Sequence, residues 1–101
     1  MNVNFLVDMV DLDGRPIDEA EGKPATLGFV CLDALMRSYN DEPNLTGVEK
    51  VRRYDLALRI KRGGGQLDLP AEEITLLKLL IGKAYAPLIV GQAWAMLEGK
   101  V

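Results

Sequence analysis

Few side chains in this sequence have the type and spacing that chemistry requires. Histidine is absent and Cys31 is the single cysteine, which excludes Ser-His-Asp triads, Cys/His zinc sites and an internal disulfide. Asp11, Asp13 and Gly14 suggest a calcium loop, but its pattern would place Met9 at the first ligand position and Ala20 at the twelfth, where an acid is required. A turn with solvated carboxylates is the expected reading. Gly63-Gly64-Gly65 follows a basic segment, yet it lacks the GK[ST] signature of a phosphate loop and opens no helix directly. Cys31 sits in an apolar run without a nearby base and is expected to be a small core hydrophobe with an inert thiol. Tyr39, Tyr54 and Tyr85 each carry a hydroxyl that could serve a pocket, although packing with a hydrogen-bonded tip is the default. Glu72 and Glu73 read as charges at a helix start. No catalytic site emerges, and neither enzyme activity nor a cofactor or metal is expected.

Charge is the stronger signal. Over residues 46–62, Lys50, Arg52, Arg53, Arg59, Lys61 and Arg62 are six of the twelve basic residues and meet only Glu49 and Asp55, a local charge of +4. The first 22 residues hold six acids against Arg15, a charge of −5, so the chain has opposite poles that dock on each other or alternate head to tail between subunits. The six basic residues are candidate phosphate contacts of a nucleic-acid-binding regulator. Against that alternative stand the net charge of −3, the pI near 4.9 and the lack of interleaved aromatic residues. Cations toward a helix C-terminus are also what the helix dipole favours. Nucleic acid is therefore not the expected partner.

The element that must position any site is Leu27 to Asn40. At 100° per residue, Leu27, Val30, Cys31, Ala34 and Leu35 share one face, and Phe29, Leu32, Met36 and Tyr39 share a second. Such a helix needs cover on both sides, from its own chain or another. Thr26 can cap it, and Asp33 and Arg37 at i, i+4 can pair on its polar sector. Thr46-Gly47-Val48-Glu49 is a capping box that opens a helix over 46–62, which the glycines at 63–65 end. Its expected inward stripe is Val51, Tyr54, Ala57 and Leu58, leaving Leu56 and Ile60 as an outer apolar pair. A third helix over 70–85 begins at Pro70, with Leu69 at the cap position. Pro87 kinks it or separates a fourth over 88–98, in which Trp94 is expected as a core anchor. Residues 2–12 alternate as a strand, and Asp13-Gly14 turns it into a short hairpin ending near residue 20.

Length and composition fit one α+β domain over residues 1–101, with an N-terminal β-hairpin packed on a three- to four-helix bundle. The 101 residues are 49% hydrophobic and 27% charged, a globular composition. The N-terminal stretch has neither the basic region nor the long apolar run of a secretory signal, so a cytosolic setting is expected. Leu79 to Leu97 approaches membrane-spanning length, but Lys83 and Pro87 interrupt it and two packed helices are the better reading.

The succession of DGRPI, ATLGFVCLDAL, EKVRRYDLALRI and LPAEEITLLKLLIGKAYAPLIVGQAWAMLE resembles small proteins encoded by tailed bacteriophages and prophages over nearly the whole chain. The resemblance implies a viral accessory protein acting in the host bacterial cytoplasm by contact with a phage or host protein, and brings no site motif with it. The residues point the same way, because the apolar surface exceeds what one small core hides. Non-enzymatic protein binding, as a homo-oligomer, is the expected function. Phe29, Leu32, Met36, Leu56 and Ile60 are its candidate interface, with Arg52, Arg53 and Arg59 as a charged rim. A small-ligand-binding protein, with a pocket between protomers lined by tyrosines and the basic helix, is the second alternative.

Overall fold

In a computed structural model, which describes residues 1–99, the chain has the α+β fold that the sequence pattern leads one to expect. Lys100 and Val101, part of an end expected to fray, lie outside the described residues. The elements are β1 (Asn2–Asn4), β2 (Asp18–Ala20), β3 (Lys23–Pro24), α1 (Leu27–Met36), α2 (Gly47–Arg62), β4 (Gln66–Asp68), α3 (Ala71–Ala84) and α4 (Pro87–Leu97). α1 is central: it packs on both α2 and α3, while α4 closes on α3 and β1. Leu27, Val30, Cys31, Ala34 and Leu35 are all buried, in one cluster with Val3, Phe5 and Met9, Leu56 and Ile60, Leu77, Leu80 and Ile81, and Ala93 and Leu97.

The N-terminal β structure is more broken than the alternation suggests. β1 pairs antiparallel with the distant β4, Val3 opposite Leu67, and β2 pairs with β3. The Asp13-Gly14 turn does form and is closed by a single bridge between Val10 and Pro16. Gly14 takes a positive φ of 83°, which glycine adopts without steric cost. One carboxylate oxygen of Asp11 accepts from the amides of Asp13 and Arg15 at 2.9 and 3.0 Å, so this acid organises the turn. Beyond the turn, Met9 is threaded between Ile17 and Ala25 by backbone hydrogen bonds. Gly65, at φ 129°, brings its carbonyl to the Phe5 amide at 2.7 Å, and a Cβ there would come within 2.9 Å of the Leu6 side chain. The triple glycine thus lets the chain leave α2 and run straight onto β1.

Four expectations about the helices need correction. α1 ends at Met36 instead of Asn40, with Arg37 extended, because the Tyr39 hydroxyl turns back and donates to the Ala34 carbonyl at 2.6 Å. That bond satisfies one of the carbonyls a helix end leaves open. α2 is rotated relative to the expected stripe: Leu56 and Ile60 are buried, whereas Val51 and Tyr54 are exposed and only Ala57 keeps its expected place. The rotation is possible because Arg53, on the inward side, is buried in a bidentate pair with Glu42. Pro70, not Leu69, holds the cap position of α3, and Leu69 is buried. Finally, Trp94 is no core anchor: Pro87 separates α4 from α3, one of the two expected outcomes, and Trp94 lies on the surface between them, its indole N–H donating to the Lys78 carbonyl at 3.0 Å. No helix among the described residues is long and apolar enough to cross a membrane.

Candidate protein-binding surface

The surface begins with a cap. The Thr26 hydroxyl accepts from the Phe29 amide at 3.2 Å and fixes where α1 starts, hence which side chains face outward. With the inward stripe committed to the core, Phe29 and Met36 are left exposed and Leu32 half-buried. At 1.5 Å per residue this apolar ridge runs about 10 Å along α1. A hollow of about 360 Å³ borders its first half, with Phe5, Leu6, Pro24, Phe29 and Leu32 in its walls and Lys23 and Lys61 among its cations. Another of about 450 Å³ lies at its far end, between Met36, Arg37 and Tyr39 on one side and Lys50, Arg53 and Tyr54 of α2 on the other.

Two ion-pair clusters hold the far end in place. Arg37 donates to Asp33 through Nε and Nη2 at 3.1 and 2.7 Å, and the Tyr85 hydroxyl donates to the same carboxylate oxygen. The Arg37 hydrogen bond holds the Asp33 carboxyl below its usual range, while burial, and then the bond to Asp33, push the Tyr85 hydroxyl up. In the second cluster, Arg53 Nη1 and Nη2 donate to the two Glu42 oxygens at 2.9 and 2.7 Å, and Lys83 Nζ lies 3.1 Å from Asp41 and 3.5 Å from Glu42. The Arg53 bonds hold the Glu42 carboxyl below its usual range. The loop between α1 and α2 is therefore pinned to both α2 and α3.

Of the eight interface residues expected from the sequence, Phe29, Leu32 and Met36 come together on one face. Leu56 and Ile60 are 1% and 5% exposed and belong to the core, although Ile60 reaches the floor of the hollow that Phe29 and Leu32 line. Arg53 is no free rim charge, since its charge is spent on Glu42. Arg52 and Arg59 are exposed but engaged with Glu49 and Glu73. Lys50, Lys61 and Arg62 form no ion pair among the described residues.

Neither a family model, nor a curated protein, nor a solved structure matches the chain. The surface is therefore read from its own chemistry. Among the described residues no group of three or more Asp, Glu or Cys side chains is placed to hold a metal ion. Cys31 is fully buried and burial pushes its thiol up to about 12, which removes it as a nucleophile.

Sequence reasoning missed Val51, Tyr54 and Leu6, all exposed. α2 carries two apolar stripes, Val51-Tyr54-Leu58 and Leu56-Ala57-Ile60. The greater hydrophobicity of leucine and isoleucine over tyrosine and valine was the one signal that pointed to the second as the core.

Proposed function

We propose that this protein is a non-enzymatic binding protein that uses the exposed face of α1 to associate with a second copy of itself and with a phage or host protein. The observation that carries the reading is the ridge of Phe29, Leu32 and Met36, left outward once α1 has satisfied the core. Exposed apolar side chains in a continuous row, between two hollows and beside free lysines, are what a protein interface with a polar rim requires. The revised rim is Lys50 and Lys61, in place of the engaged Arg52, Arg53 and Arg59. The proposal takes its setting, a host bacterial cytoplasm, and its role, an accessory protein, from the resemblance of the sequence pattern to small proteins of tailed phages and prophages.

The test is light scattering on a gel-filtration column, with the 11.1 kDa chain and a Phe29→Asp/Met36→Asp variant. The wild type is expected at a multiple of the monomer mass and the variant at the monomer mass, with the same helical circular dichroism. A monomeric wild type that also retains no bacterial protein on an affinity column overturns the proposal.

Nucleic acid is a weaker second reading. Three of its six candidate contacts, Arg52, Arg53 and Arg59, are occupied by carboxylates, and only Lys50, Lys61 and Arg62 remain to meet phosphates. That reading predicts binding that falls steeply with salt.

A further inference from the structure

The hollow at the far end of α1 shares Met36 with the ridge but has a chemistry of its own. Its volume, about 450 Å³, is in the range that holds a small organic molecule. Arg37, Lys50 and Arg53 line it; Arg37 is paired with Asp33 and Arg53 with Glu42, which leaves Lys50 as its one uncompensated charge. Its donors also outnumber its acceptors. Arg37 spends Nε and Nη2 on Asp33, leaving Nη1 without a bond, and Lys50 has no ion pair. Arg53 gives one edge of its guanidinium to Glu42, while the Nε–H on the other edge is buried with no acceptor. That Nε is closed off from the hollow, so the donors open to a bound molecule are Lys50 Nζ and Nη1 of Arg37.

The rest of the lining is apolar and aromatic. Tyr54 is 53% exposed and makes no hydrogen bond among the described residues, and the Met36 side chain, 52% exposed, also borders the hollow. Tyrosine faces and a methionine thioether both favour a flat ring. The scaffold is set in advance, because Glu42 is fixed by Arg53 and Lys83 and Tyr39 by the Ala34 carbonyl. Binding there would cost little ordering.

We infer that this hollow binds a small aromatic oxyanion, a flat ring carrying a carboxylate or a phosphate. The ring lies against Tyr54 and Met36, and the oxyanion faces Lys50 and the free Nη1 of Arg37. The site shares Met36 with the ridge, but it rests on Lys50, Arg37 and Tyr54 and not on the ridge being a protein interface.

The test uses the full chain labelled with nitrogen-15 and four probes: 1-naphthoate, 1-naphthyl phosphate, naphthalene-1-methanol and inorganic phosphate. At least one of the two aromatic anions is expected to give saturable shifts in the amides of residues 36–45 and 50–54. The tighter of the two identifies the head group. The uncharged alcohol and inorganic phosphate are expected to bind at least about tenfold more weakly, a difference of about 1.4 kcal/mol. Lys50→Gln, an exposed change with no partner to lose, is expected to weaken the anion about threefold or more without lowering the melting temperature. The inference is overturned by shifts confined to other residues or by the absence of saturation with both anions. Equal binding of the alcohol, equal binding of inorganic phosphate, or an unchanged affinity in Lys50→Gln overturns it as well.

Discussion

Replacing Glu42 by glutamine probes the ion pair on which the placement of α2 depends. The substitution keeps the shape and removes the charge, leaving Arg53, whose side chain is 6% exposed, without its counterion. Breaking one partner of a buried pair costs about 3–5 kcal/mol. Because the Glu42 side chain keeps 17% of its exposure and glutamine retains an oxygen for one bond, the lower end applies, about 3 kcal/mol. For a chain of this length that is a fall of about 12–15 °C in melting temperature. Arg53→Met should cost much less, about 1 kcal/mol, since it puts an apolar chain into an apolar place and leaves Glu42 beside Lys83. The double variant should melt near Arg53→Met. Glu42 has a folded pKa depressed below the ordinary value of 4.5, so the pair contributes in full above that value and its contribution is lost as pH falls through the folded one. Thermal unfolding followed by circular dichroism between pH 7 and pH 3 reads all of this. The reasoning is refuted if Glu42→Gln melts within about 3 °C of the wild type, or if Arg53→Met is as damaging as Glu42→Gln.

Three further outcomes follow from burial and hydrogen bonding. Leu56→Ala should cost about 2–4 kcal/mol in urea unfolding, whereas Val51→Ala, on the exposed side of α2, should stay within about 1 kcal/mol; the reverse order would put the Val51-Tyr54-Leu58 face of α2 in the core. Cys31 should resist a thiol reagent at pH 8 in the native state and react with one equivalent in denaturant, and rapid native labelling would contradict its burial. The Gln92 side-chain amide accepts from the Val10 amide at 2.9 Å and donates to the Val10 carbonyl at 2.8 Å, standing in for a missing neighbouring strand. Gln92→Ala should therefore speed hydrogen exchange at Val10 and proteolysis around residues 8–20, with α2 and α3 unaffected.

How much of this was legible in the sequence follows the range of each interaction. Local chemistry read true: the Thr26 and Thr46 caps, the turn at Gly14, the Asp33–Arg37 pair and the break at Pro87 each depend on residues within four positions. What depended on distant partners did not. β1 finds its neighbour in β4, more than sixty residues away, because Gly65 allows the close approach, and alternation in residues 2–12 carries no word of that. α1 was read four residues too long because its stop lies in a tyrosine hydroxyl folding back from outside the helix. α2 was read on the wrong side because an arginine counts as polar by pattern, and only Glu42, eleven positions earlier across a loop, makes it a core residue.

That same error decides where function is sought. Placing Leu56 and Ile60 outside extends the expected contact surface from Phe29, Leu32 and Met36 onto α2, with Arg52, Arg53 and Arg59 as its rim. With both inside, Leu56 and Ile60 become support for α1, and what α2 exposes is instead Val48, Val51 and Tyr54. The pairing of Arg53 with Glu42 then has two consequences at once. It turns α2 so that Leu56 and Ile60 close the core, and it fixes the loop that forms one wall of the hollow beside Met36. The residue that defeated the periodicity argument is thus the one that sets the ridge and the hollow side by side. A variant that loses the pair should disturb both, whereas Phe29→Asp should disturb the ridge and leave the hollow intact.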